Sequence, residues 1–358
     1  MHTDARHAGM RLAFGPALLF ILGMAMNWPL AFVASVFAVL LLQAPSAPSL
    51  RAACTLSATA AALMLAAWVV SSILLPYPLL FLLAVGGMVL TGFGLSVAGK
   101  SPLLVVFTLL AALLMPLLVK SSLSLALTVA LWLPVNLGLA LAATWVAFAA
   151  FPTGSAAPAT GAAGGAGEAG FDPGRRLLRM ALVTLPFALL FFVVEGGAVL
   201  TLLFVAILTQ QLAASTQAGT KVAMAMLTSN LVGGSVAILA YELVVMAPFF
   251  PFMALVTVLA CLGIAVWFTS GRGDAKLAGS AMTTMLILFG GSMAPFGDNA
   301  EVAMVDRLFQ VAAALAWVLA AFLALDTLLP ERAHGTPNWR SSRRPGHGRA
   351  AKAPAPRG

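Results

Sequence analysis

Few residues in this 358-residue chain can do chemistry, and most of those lie inside long apolar runs. Glu195 interrupts Phe191-Phe192-Val193-Val194 and Gly196-Gly197, and Glu242 follows Tyr241. An ionised side chain in hydrocarbon costs on the order of 3 kcal/mol or more. Burial raises a carboxyl pKa toward neutrality, so either glutamate could carry a proton. The same cost favours the plainer role, an acid at a turn or an interface. Thr228-Ser229-Asn230, followed by Gly233-Gly234-Ser235, lies near the middle of an apolar run. Polar groups at that depth need partners. They form a substrate or ion site, or they let two helices pack closely through small residues. Pro134 and Asn136 form a similar mid-run break, where proline frees a carbonyl that asparagine can rebind. Gln43 and Gln211 recur at matching positions, as ligand contacts or as amides that cap helix ends. Arg307, beside Asp298, Glu301 and Asp306, is either an anion contact in an outer vestibule or part of a helix start. Lys120 is a second external cation.

What is missing excludes several classes. All four histidines (His2, His7, His334, His347) lie in the two tails, so a buried His-rich metal or haem site is not expected. Cys54 and Cys261 lie in apolar runs and indicate no disulfide framework. The sequence has no GxxxxGK[ST] loop, which excludes hydrolysis of nucleotide by that motif. Met224, Met226, Met282 and Met285 read as gap-filling core rather than a copper path. We therefore expect no cofactor and no enzyme.

The elements that must position these residues follow from composition. The chain is 61% apolar and 8% charged, with a mean hydropathy of +1.03. Soluble domains carry about 25% charged residues. The pI near 10.3 comes from loops and tails, so a nucleic-acid partner is not expected. A helical span needs roughly 20 apolar residues. The candidate segments are 11–26, 29–44, 52–75, 77–98, 102–119 and 122–150, then 177–194, 196–212, 220–241, 246–269, 277–295 and 306–328. The breaks fall at Asn27-Trp28-Pro29, Pro76-Tyr77-Pro78 and Gly271-Arg272-Gly273-Asp274, where Pro and Gly end helices. With the N-terminus inside, every Lys and Arg except Lys120 and Arg307 falls on the cytoplasmic side, as basic connectors require. Trp28, Tyr77 and Tyr241 then sit at outer ends as interfacial anchors. Segments 11–26 and 29–44 are short, about 24 Å each at 1.5 Å per residue. They form full spans or a hairpin that stops part-way.

The fold expected is an all-α polytopic membrane protein of about 12 segments in two parallel six-segment repeats. Arg11-Leu12-Ala13 matches Arg179-Met180-Ala181, and Gln43 matches Gln211, at one common offset. An even number of segments per repeat makes both copies enter from the same side. The layout is a cytoplasmic N-terminus (1–10), a first repeat (11–150), a flexible Gly/Ala linker (151–175), a second repeat (176–329) and a disordered basic tail (330–358). That tail would attract anionic lipid, or simply mark topology.

The opening Arg11-Leu12-Ala13-Phe14-Gly15, then Asn27-Trp28-Pro29-Leu30-Ala31-Phe32, with Pro45, Pro48 and Arg51 after it, resembles the FUSC superfamily of fusaric-acid-resistance and aromatic-acid-exporter proteins. Within it the chain is most similar to the branch called domain of unknown function 2955. The resemblance implies a bacterial inner-membrane permease that exports small aromatic or amphiphilic organic acids by secondary transport. It also implies a periplasmic membrane-fusion (adaptor) protein as partner, besides the lipid bilayer. The substantial soluble domain of many such exporters has no counterpart here. The alternative is a non-transporting assembly or envelope subunit of a multi-protein complex. The substrate or proton-coupling candidates are Glu195, Glu242, Asn136, Ser229, Asn230, Arg307, Gln43 and Gln211.

Overall fold

The structure, a computed structural model, describes residues 2–152, 173–194, 205, 209, 216–270, 275–293 and 300–328. Among these residues all regular structure is helical. In chain order the α-helices are α1 (His2–Met26), α2 (Ala31–Leu42), α3 (Leu50–Leu74), α4 (Pro78–Val97), α5 (Pro102–Ser121) and α6 (Leu123–Ala150). There follow α7 (Pro173–Val194), α8 (Thr216–Met246), α9 (Phe250–Phe268), α10 (Ala278–Ser292) and α11 (Ala300–Leu328), with a short 3₁₀ turn at Ala275–Leu277. Segment 196–212 falls outside the described residues apart from Val205 and Thr209, as do most of the linker and the tail beyond Leu328.

Helix ends obey local chemistry. Ser49 caps α3 by accepting from the Ala52 amide, and Ser122 caps α6 by accepting from Leu125. The Ser122 amide also closes α5 on the Leu118 carbonyl, so one residue joins two antiparallel helices. Pro78 and Pro102 open α4 and α5, where the missing N–H is no loss. Helix α1 begins at His2, ahead of its apolar run, because apolarity marks membrane length and not where backbone hydrogen bonding starts. The expected break at Pro134 does not occur: α6 runs through it from Leu123 to Ala150. One proline removes one backbone bond, and a long packed helix tolerates that loss.

Seven helices among the described residues are long and apolar enough to cross a membrane: the stretches Ala5–Met26, Leu50–Leu74, Pro78–Val97, Leu103–Ser121, Leu123–Ala150, Met224–Met246 and Phe250–Phe268. Helices α2 and α10 are shorter. Large apolar side chains such as Leu79, Leu83, Leu239 and Phe309 point outward, as a lipid-facing surface requires.

The packing follows a pattern. In the first half α3 packs on α4, α5 and α6, α4 and α6 pack on α5, and α1 packs on α6. In the second half α8 packs on α9, α10 and α11, α9 and α11 pack on α10, and α7 packs on α11. Between the halves α1 packs on α9 and α7 packs on α4. Both of these interfaces run antiparallel. The Cβ position of Gly9 abuts Thr269, near the far end of α9, while Phe192 meets Phe81 edge-on at 5.8 Å and Leu185 lies beside Gly86. One core, including Leu12, Phe20, Met64, Phe107, Val256, Met282 and Phe289, joins the halves. At its centre α2 lies against α10.

Candidate functional site

Polar side chains gather in two places, both on the α2–α10 contact or beside it. The first is the start of α10. Helix α10 lies between α2 and α8 and packs closely on each because glycines face it. A Cβ on Gly233 of α8 would collide with the backbone oxygen of Ala281. Gly279 of α10 lies under the side-chain amide of Gln43, at the end of α2. Around these close approaches the polar groups are paired. Ser229 Oγ donates to Ser280 Oγ at 3.1 Å and lies 3.0 Å from the Met226 carbonyl. Asn230 Nδ2 donates to the Met226 carbonyl at 2.8 Å, and its Oδ1 accepts from Thr284 Oγ1 at 3.0 Å. Gln43 Nε2 donates to the Val39 carbonyl at 3.1 Å.

The structure thus brings Gln43, Ser229 and Asn230 to one end of one helix, as the sequence does not reveal. Ser229 lies midway along the 31-residue α8 and faces Ser280, in the first turn of α10. Ser229, Ser280, Asn230 and Thr284 pair across the two helices, as small-residue helix packing does. Met282 and Met285 are fully buried in the core, whereas Met224 points outward.

The second place is the turn between α1 and α2. Asn27 (φ 48°) and Leu30 (φ 57°) are both left-handed, an uncommon backbone for leucine. Gly23 leaves room for the turn to fold back. A Cβ there would lie 3.0 Å from the Trp28 indole nitrogen and closer still to Ala31. Trp28, half-buried at this exposed turn, packs its indole against the Gly23 face of α1. Asn136, fully buried at the middle of α6, donates Nδ2 to the Pro29 carbonyl at 3.3 Å. It does not rebind the carbonyl freed by Pro134, because the turn's own carbonyl is within reach.

Asn136 Oδ1 and Trp28 Nε1 have no hydrogen-bond partner among the described residues, nor do Ser35 Oγ on α2 and Ser292 Oγ at the end of α10. Gly290 of α10 packs its bare Cα face against Phe32 and Phe20. Phe20 also stacks on Phe289, with centroids 5.3 Å apart.

The remaining candidates are not brought to either place. Glu242 is exposed, one turn before the end of α8. Arg307 lies on α11 with its side chain outside the described residues, and Glu195, Gln211 and Asp298 lie outside them altogether. Lys120 is exposed and donates to the Phe192 carbonyl at 3.1 Å, tying α5 to the end of α7.

Sequence reasoning missed a third feature. Arg11, at 4% exposure, stacks its guanidinium over Phe148 at 4.2 Å and donates to the Phe151 carbonyl at 2.9 Å. Arg179 stacks over Phe322 at 5.6 Å. Each arginine thus meets a phenylalanine on the last helix of its own half. Leu12 and Met180, the next residues, are both fully buried. Asn136 precedes Phe148 by the same interval as Gln310 precedes Phe322, and Gln310 Oε1 is also buried without a partner. The signal that could have found this was the interval from an amide to a phenylalanine in each terminal helix.

The fold and its lipid-facing surface define a multi-pass helical membrane protein. Residues 8–149, a stretch that runs from α1 to the end of α6, match the model of the family described as "Protein of unknown function (DUF2955)". The resemblance carried by the Arg11-Leu12-Ala13 opening and the Asn27-Trp28-Pro29 turn is borne out there. No curated protein and no solved structure matches the chain.

Proposed function

We propose that this protein is an inner-membrane permease of the FUSC type, exporting small aromatic or amphiphilic organic acids by secondary transport. The observation that carries the reading is the paired packing of the halves. The α1–α9 interface has a counterpart in α7–α4, and the Arg11–Phe148 stack has a counterpart in Arg179–Phe322. Those pairs support two copies of one unit around an axis along the membrane normal, with α2 and α10 near its centre. Permeases use such a seam, because small relative motion of two halves changes which side the seam faces. The basic connectors support cytoplasmic N- and C-termini. A periplasmic adaptor remains the partner expected for export beyond the inner membrane.

The test is transport itself. Inverted membrane vesicles containing the protein should accumulate radiolabelled benzoic acid or a related aromatic acid when a proton gradient is imposed. Cells lacking the protein should retain the same acid. Equal accumulation with and without the protein, across a broad panel of acids, would reject the permease reading in favour of an assembly subunit.

A further inference from the structure

Helices α4, α5 and α7 meet at one end, where Phe81 packs on Phe192 and Lys120 donates to the Phe192 carbonyl. Equal residue counts along helices give equal rise, which locates their other end. Phe93 follows Phe81 by as many residues as Met180 precedes Phe192, and both are fully buried in one cluster with Val105 of α5. Leu95, Val97 and Leu177 pack against that cluster, so the three helices stay together to this end. Val97 and Arg176 are level by the same count from Phe81 and Phe192. Pro102 and Gly174 are level when counted back from Lys120 and Phe192.

That shared end is basic. Gly99, at φ 67°, closes α4, and the Lys100 amide donates to the Leu95 carbonyl at 3.1 Å, which fixes Lys100 in the tight connection to α5. Arg176 is half-buried one turn before Met180 on the same face of α7, and its Nε is buried. Helical side chains lean toward their own N-terminus, here toward the level of Lys100. Arg175 is exposed beside it. Helices α5 and α7 both begin here, and helix N-termini favour anions. Lys100 lies between two membrane-length stretches, Pro78–Val97 and Leu103–Ser121, which is the depth of lipid headgroups. A connector that only marks topology needs charge anywhere near the membrane. This charge is local to one seam. At the α1–α9 seam the residues that stand before Arg11 as Arg175 and Arg176 stand before Arg179 are His7 and Ala8. Asp172 and Glu168, the nearest acids in sequence, lie outside the described residues.

We propose that this end of α4, α5 and α7 binds the phosphate of an anionic phospholipid, with Lys100 and Arg176 as its cations. Basic pockets between membrane helices hold such headgroups, and guanidinium matches phosphate geometry. On α4 a Cβ added at Gly87 or Gly94 would meet nothing within 4 Å, so an acyl chain lies flat against the helix there. The site does not depend on the permease reading.

The experiment measures binding of radiolabelled dioctanoyl phosphatidylglycerol to the full chain in dodecyl maltoside. Phosphatidylcholine with the same chains should bind at least about tenfold more weakly, for want of net charge. Lys100→Gln/Arg176→Gln should weaken phosphatidylglycerol binding about thirtyfold, the effect of two charges near a lipid surface. Arg6→Gln/Arg51→Gln removes as much charge from exposed residues elsewhere and should leave binding within about twofold, because distant exposed charges are screened. Lys100→Arg/Arg176→Lys keeps both charges and should retain most of the affinity, which separates lost charge from lost fold. Equal losses in the two glutamine variants, or equal binding of the two lipids, would overturn the site. Displacement of the lipid by millimolar inorganic phosphate would make it a free-anion site and overturn the lipid as its occupant.

Discussion

The start of α10 and the α1–α2 turn are both polar, and both lie in an apolar bundle, yet they resolve their polarity in opposite ways. Around α10 the groups pair across helices: Thr284 with Asn230, Ser280 with Ser229. At the turn Asn136 donates to Pro29, yet Asn136 Oδ1 and Trp28 Nε1 have no partner among the described residues. Glycines appear in both places, but for different ends. Gly233 brings two backbones together, while Gly23 and Gly290 make room for aromatic side chains. Side-chain identity alone does not separate the two. Partnering does: the first pairs its polar groups across helices, and the second leaves two buried polar atoms unpaired among the described residues.

The contrast can be broken most forcefully at Gly233. Gly233→Val would drive a branched side chain into the Ala281 backbone, which cannot step aside. A loss of at least about 3 kcal/mol is expected, the upper end of overpacking costs, seen as collapse of the folded fraction in detergent by size exclusion. Gly279→Ala meets only the movable end of Gln43 and should cost under about 1 kcal/mol in the same assay. A milder effect for Gly233→Val than for Gly279→Ala would show that α8 and α10 are not pressed together as described.

Arg11→Ala is expected to come next. It removes the stack on Phe148 and the bond to the Phe151 carbonyl, about 2 kcal/mol together. Arg179→Ala should cost less, since its stack is longer. Thermal unfolding followed by tryptophan fluorescence would rank the two, and equal or reversed shifts would dissolve the correspondence between halves.

Smaller still are the two amides, and here the expected sign differs. Thr284→Val removes the bond to Asn230 Oδ1 and should destabilise by about 0.6–1.7 kcal/mol, the range for hydrogen bonds between membrane helices. Asn136→Leu removes one long bond together with one orphaned oxygen, so its effect on stability should be near zero or favourable. Denaturation in a graded series of SDS fractions would read both. A large loss for Asn136→Leu would mean that Asn136 is as fully partnered as Asn230.

Much of the helix layout was legible because it rests on local rules. Pro76-Tyr77-Pro78 separates α3 from α4 and Pro102 opens α5, since proline acts on its own backbone. Segment 52–75 appears as Leu50–Leu74 and segment 122–150 as Leu123–Ala150, because length and apolarity are set residue by residue. Local rules also misled. Pro134 was read as a break, yet α6 runs through it, and Asn136 bonds to Pro29, a neighbour distant in the chain.

By itself the sequence determined that this chain is a multi-pass helical membrane protein, for hydropathy and helix length are properties of contiguous residues. It also exposed the first-half motif whose stretch, residues 8–149, matches a family model. Only the tertiary structure decided which polar groups are satisfied. Whether Asn230 finds Thr284, or Asn136 leaves an oxygen unpaired, depends on which helix lies opposite. In a bundle whose helices are all alike in greasiness, that choice is made by shape, at glycines such as Gly233 and Gly290, and shape emerges only when the helices meet.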